Sequence, residues 1–128
     1  MTFLFIGHDL SMVRHLSDRV AVMYLGRIVE LAATRDIFER PPHPYTHPLI
    51  SAIPAAATRS ERAAGRIVLG GAPSDPSNPP SGCRFYPRCA HATEVCRLTA
   101  PVIEDICAGG TSPHFVSCHH KGELQDLT

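Results

Sequence analysis

The stretch "PPSGCRFYPRC", residues 79–89, limits the fold more than any other part of the chain. Proline fixes φ and lacks a backbone donor, so neither a long helix nor a central strand can run through it. Four prolines between residues 73 and 80 impose an extended path just upstream. From Cys83 onward there is little periodicity of either the helical or the strand kind. A segment with so little patterned apolar material needs a hold other than a core of its own. Its cysteines are the candidates for that hold.

Five cysteines stand at positions 83, 89, 96, 107 and 118. An odd number cannot pair completely within one chain. The N-terminal "MTFLFIGHD" has no basic lead and no small-residue cleavage site, which argues against a signal peptide. A cytosolic setting follows as the expectation, and stable disulfides are rare there. The spacing Cys83-x5-Cys89-x6-Cys96, with Cys118 after 21 more residues, can bring four thiolates around one centre. Four thiolates suit tetrahedral zinc or an iron–sulfur cluster, and ligation would supply folding free energy that a small core cannot. The competing reading is a set of reduced structural cysteines, but proline, glycine and arginine around Cys83 and Cys89 are not a core setting. Cys107, within "EDICAGG", reads as part of a turn and as a non-ligand. His119 and His120 could replace a ligand but are expected to face solvent. His43 and His47 read as structural. His91 and His114 have no evident partner.

Bulk properties exclude more than they assign. Formal net charge is zero and the 12 basic residues form no stripe, so a nucleic-acid partner is not expected. No apolar run reaches the ~20 residues of a membrane span.

Along the chain, "FLFI" (3–6) reads as a buried strand, although a strand starting so early lacks a neighbour for its backbone groups. Asp9 is a good N-cap for a short helix with Leu10, Val13 and Leu16 on one face. "RVAVMYL" (19–25), Gly26 and "RIVELA" read as a β-hairpin. Thr34 is placed to cap another short helix, with Ile37 and Phe38 inward, that Pro41 and Pro42 stop. "HPYTHPLISAIP" (43–54) reads as a helix with Pro44 at its start, Pro54 beyond its end and Pro48 kinking or shortening it. Residues 55–66 read as a linker or surface helix, and "IVLGG" (67–71) as a short strand.

His8 lies where the first strand candidate gives way to a helix. Helix starts present unpaired amides and favour anions, and an imidazole there can donate to a phosphoryl oxygen. The plainer reading is a histidine that packs or caps at a turn.

With these residues in view, a family likeness emerges. "FLFIGHDLSMVRHLSDRVAVMYLGRIVE" resembles the end of the nucleotide-binding domain of ABC transporters, with its switch-histidine strand and following hairpin. "DIFERPPHPYTHPLISAIP" and "NPPSGCRFYPRC" resemble the C-terminal extension of the ATP-binding subunits of oligopeptide and dipeptide importers. The likeness covers residues 2–120. It implies an α/β fold: the C-terminal part of a P-loop ABC ATPase domain (strand, helix, hairpin), then a small irregular cysteine-rich extension. The implied divisions are 1–40 for the domain end, 41–72 for helix and linker, 73–120 for the extension and 121–128 for a tail. Residue by residue, His8 matches the switch histidine that contacts the γ-phosphate of ATP. Cys83, Cys89, Cys96 and Cys118 match the cysteines that bind a [4Fe–4S] cluster in members of this branch.

What the resemblance implies of the whole subunit is hydrolysis of ATP with magnesium to drive import of peptides or nickel-type cargo. Its partners would be a second ATPase subunit, transmembrane permease subunits and, indirectly, a peptide-binding protein. Its place would be the cytoplasmic face of the membrane. Gly7 stands where the family has Thr or Ser, and Pro48 interrupts a helix that is usually smooth. The phosphate loop, glutamine loop, signature motif and acidic Walker B pair are not in the sequence, whose single lysine is Lys121. The expectation is therefore a C-terminal fragment, from an internal Met, a truncated gene or a misplaced start, that is inactive alone. The alternative is a free-standing regulatory module whose cysteines bind zinc or an iron–sulfur cluster.

Overall fold

The computed structural model describes residues 1–53, 68–121 and 123. Its organising unit is a hairpin of β1 (Arg19–Tyr24) and β2 (Arg27–Ala33). Leu25 (φ 47°) and Gly26 (φ 74°) form the two-residue connection. Two positive φ angles in succession match the right-handed twist of the flanking strands, and glycine takes the second without strain. Leu25 tolerates the first because its side chain packs on the core and the Arg84 guanidinium donates to its carbonyl.

β2 also pairs with β4 (Phe115–Val116), and β4 with β3 (Glu104–Asp105), all antiparallel, giving the order β1-β2-β4-β3. Thus β2 is an interior strand, paired on both edges. Cross-strand partners share a face, so Val22, Glu30 and Val116 form one row across the sheet. Between Val22 and Met23 the register shifts: Val22 faces Glu30, while Met23 faces Ile28. Val29 is the extra residue of this bulge, which lets adjacent Val29 and Glu30 both be buried.

Among the described residues, four short α-helices accompany the sheet: α1 (Leu10–Leu16), α2 (Thr34–Glu39), α3 (Thr46–Ser51) and α4 (Glu94–Leu98). Val20, Val22 and Tyr24 alternate inward from β1 and meet Val29, Ala32, Ile37 and Phe85 in the core. Phe85 joins this core from the proline-rich loop. Its ring is packed against Tyr24 (centroids 5.2 Å), Tyr45 (5.3 Å) and His43 (5.9 Å). Such aromatic groupings supply large buried area and a defined geometry. Gly82, just before, has no room for a side chain, because a Cβ would meet the carbonyls of Cys96 and Arg97. That closeness allows the Cys83 amide to donate to the Cys96 carbonyl at 2.7 Å.

Several expectations are corrected. Residues 3–6 form no strand and are not buried; Phe3, Leu4 and Ile6 are 82%, 92% and 89% exposed. Among the described residues no strand lies beside them to complete a ladder. Leu16 is exposed rather than turned inward with Val13. Thr34 does not cap α2; it is the first helical residue, and its hydroxyl instead donates to the Ser17 carbonyl at 2.6 Å. The helix expected to start at Pro44 and end before Pro54 is confined to Thr46–Ser51. Pro48 is buried in its first turn, where the missing N–H costs no intrahelical bond, so it need not kink the helix. Residues 68–71 form no strand, and 73–80 are not simply extended, since the Asp75 carboxylate accepts from the Ser77 amide in a turn. The proposed linker at 55–66 and Ile67 lie outside the described residues. Among the described residues, no helix is long and apolar enough to cross a membrane.

Candidate cysteine site and the buried network beside it

Two loops and a strand end deliver the cysteines. Cys83 and Cys89 bracket the 3-10 turn Tyr86–Arg88, which Phe85 anchors in the core. Cys96 sits on the buried side of α4, and Cys118 follows β4. All four line one cavity, together with His43, Pro44, Phe85, Tyr86, His91, His119 and His120. Cys107 is exposed and outside this lining. All five cysteines are free thiols.

The environment of the thiols is poor in water. Burial raises Cys83, with Phe85 and Tyr86 backbone bonds opposing and Cys96 adding to the rise. Burial likewise raises Cys89, and Cys83 and Cys96 reinforce it. Burial pushes Cys118 up to about 11, reinforced by Cys89, Cys83 and Cys96. These mutual effects place the four thiols within electrostatic reach of one another. Burial thus favours the neutral thiol at Cys83, Cys89 and Cys118, so a metal entering there must displace protons.

The donor set fits a thiolate-bound metal centre, but the cavity is not preshaped for one. It holds about 10 Å³, and among the described residues no three His, Cys, Asp or Glu side chains are placed to close on an ion. Binding would require the 83–89 loop and the Cys118 strand end to adjust.

His8 is exposed and directly precedes Asp9. The Asp9 carboxylate accepts from the amides of Ser11 (3.0 Å) and Met12 (3.1 Å). Those amides, which the sequence reading offered to a phosphate, are therefore already capped. The structure does not bring His8 to the cysteines.

Sequence reasoning missed Glu30, which is 0% exposed. Its Oε2 accepts from the Thr46 hydroxyl (2.6 Å) and the His43 amide (3.4 Å). Its Oε1 lies 2.7 Å from Nε2 of buried His114. His114, which had no evident partner in the sequence, thus has one 84 residues away in the chain. A signal was present: an acidic residue inside the apolar run of "RIVELA" must find partners if that strand is interior. His43 proves structural, as read. Its Nδ1 accepts from the Tyr45 amide (3.1 Å), and its ring is also hydrogen-bonded to the backbone of Ser117. His119 and His120 are partly buried rather than solvent-facing, with Nε2 atoms 2.7 Å from the Thr99 carbonyl and 2.8 Å from the Thr93 hydroxyl.

Residues 29–96 match the family model described as the oligopeptide/dipeptide transporter, C-terminal region. The chain belongs to this family. It is 44% identical over 119 residues to the oligopeptide transport ATP-binding protein AppF of Bacillus subtilis, covering 93% of this chain and 35% of that protein. It is 47% identical over 120 residues to a putative peptide import ATP-binding protein of Brucella ovis, covering 92% and 35%. It is 45% identical over 120 residues to the dipeptide transport ATP-binding protein DppF of Haemophilus influenzae, covering 94% and 35%. The chain thus spans about a third of the length of the curated relatives it matches.

Burial lowers the His43 pKa to about 4 from 6.5, with the Ser117 bond opposing and His47 adding to the fall. Between these values the unfolded chain binds a proton that the folded chain refuses. Stability from this group is full above pH 6.5 and is lost as pH falls through 4. The loss is on the order of 3 kcal/mol. Urea melts across this range should show that loss, and His43→Asn, although less stable at neutral pH, should have a flatter profile. Equal slopes in both proteins would contradict the assignment.

Proposed function

We propose that this chain is the C-terminal part of the ATP-binding subunit of an ABC importer for oligopeptides, dipeptides or nickel-type cargo. The whole subunit hydrolyses ATP with magnesium. It works with a second ATPase subunit beneath transmembrane permease subunits, on the cytoplasmic face of the membrane, and is supplied by a peptide-binding protein. Residues 1–40 end the nucleotide-binding domain, 41–72 connect, 73–120 form the cysteine-bearing extension and 121–128 a tail.

The observation that carries this reading is the exposure of Phe3–Ile6 beside His8. Four large apolar residues in water are costly, at about 25 cal/mol per Å² of surface left unburied. They fit a strand that belongs inside a sheet supplied by the rest of a nucleotide-binding domain. His8 at its end is then held at the transferred phosphate. The printed names of the relatives, all peptide transport or import ATP-binding proteins, support the same reading. Within that domain, the imidazole donates to a γ-phosphate oxygen as charge develops there.

The cysteines form the second part of the proposal. Cys83, Cys89, Cys96 and Cys118 hold a [4Fe–4S] cluster, with zinc as the lesser alternative. The loose spacing of the four cysteines, wider than the C-x2-C of common zinc ribbons, suits the larger reach of a cluster. When bound, such a group supplies cross-linking between the 83–89 loop, α4 and the end of β4. The chain's own residues orient the thiols and exclude water from them.

Two experiments test these parts. The 128-residue chain alone should show no ATPase activity. Joined to a portion bearing the phosphate loop and signature motif, and assembled with its paired subunit, it should hydrolyse ATP. His8→Ala in that assembly should slow turnover by roughly 10²-fold or more while leaving ATP binding nearly unchanged. Hydrolysis by the chain alone, or full turnover by the variant, would contradict the role of His8.

For the cysteines, protein purified without oxygen should be brown and contain iron and acid-labile sulfide. Serine at 83, 89, 96 or 118 should each lower the iron content, while Cys107→Ser should not. Colourless protein with one zinc supports the alternative, and unchanged metal in Cys89→Ser removes this ligand set.

A further inference from the structure

We propose that Glu30 and His43 are positioning residues for the cysteine centre, setting where Cys118 stands relative to Cys83 and Cys89. The inference deepens the reading of the four cysteines as one ligand set and rests on it. Cys118 is the member most remote in sequence, and no neighbouring cysteine in the chain holds it. What fixes its strand end comes from elsewhere. The Ser117 amide donates to the Val29 carbonyl at 2.9 Å, in the bulge beside Glu30. The Ser117 backbone also bonds the His43 ring. On the upstream side of β4, His114 bonds Glu30.

His43 also reaches the other cysteine-bearing loop. Its ring lies 5.9 Å from that of Phe85, two residues after Cys83, and it lines the thiol cavity itself. One imidazole therefore touches both halves of the site. Glu30 holds that imidazole in place by accepting from the His43 amide and from Thr46, three residues on. The order of "HPYT" in residues 43–46 follows from these contacts. The Tyr45 amide occupies Nδ1, so Nε2 carries the proton and is the donor toward Ser117. Thr46 then points its hydroxyl at the carboxylate. Hydrogen-bonded groups behind a ligand fix its orientation, and their loss commonly weakens metal binding about 10–100-fold.

A network that served only stability would loosen all four thiols alike when cut. A positioning network singles out Cys118. The test uses the full reduced chain at neutral pH, alkylated with iodoacetamide and read peptide by peptide, with exposed Cys107 as the internal standard. His43→Asn keeps an acceptor for the Tyr45 amide but is too short to reach Ser117. His43→Gln has the opposite reach. Cys118 should react roughly tenfold faster in His43→Asn, as for about 1.4 kcal/mol easier local opening, and near the parent rate in His43→Gln. Iron content after purification without oxygen should fall in His43→Asn and recover in His43→Gln.

Where the His43 variants do not fold, Thr46→Val and its rescue by Thr46→Ser carry the same comparison. An unchanged Cys118 rate in a folded His43→Asn or Thr46→Val protein overturns the proposal, and so does an equal rise at Cys83, Cys89, Cys96 and Cys118. If Cys118 responds selectively but serine at 83, 89, 96 or 118 leaves the metal content of the protein purified without oxygen unchanged, the positioning role stands and the ligand-set reading falls.

Discussion

A carboxyl group wholly removed from water must find all its hydrogen bonds inside the protein, and Glu30 finds three partners in two separate parts of the chain. The partners arrive from the turn before α3, from α3 itself and from the approach to β4. Cutting any of them leaves a buried polar group short, which costs about 1–3 kcal/mol or more for a charged group. Glu30 thereby makes the hairpin the platform on which later segments assemble. The β-bulge is part of the same arrangement, since it buries Glu30 and presents the Val29 carbonyl to Ser117.

The second tie is apolar. Phe85 carries the proline-rich loop into the cluster of Tyr24 and Tyr45, and Gly82 lets that loop pass against the end of α4. Together, a satisfied polar network and an aromatic plug do for this segment what its own composition cannot. They also explain how four thiols come to line one cavity before any metal is considered. The hold on the loop is the aromatic contact, and the hold on Cys118 is the polar network. A centre bound between them would feel both.

Legibility in the sequence followed the range of the interactions. The hairpin was readable because alternation and the glycine at 26 are local signals, and the α1 cap was readable from Asp9. The four cysteines could be grouped from spacing, and the family from its motifs. The Glu30–His114 contact was not readable as a pair, because it joins residues 84 positions apart and neither neighbourhood names the other. The two-residue strands β3 and β4 were missed because they are too short to show periodicity and exist through pairing with β2. "FLFI" misled in the opposite sense. Its composition is that of an interior strand, but a strand needs neighbours, and among the described residues none is beside it.

The central claim is that the segment from Gly82 to Cys118 and the β1–β2 hairpin form one cooperative unit. Native-state hydrogen exchange of the reduced, metal-free chain tests it most directly. The Ser117 amide, bonded to Val29, and the Cys83 amide, bonded to Cys96, are the reporters. The account predicts that both are protected to the same free energy as the hairpin amides, and that Thr46→Val lowers all of them together. Reporter amides exchanging at unprotected rates, beside a hairpin that stays fully protected, would contradict it.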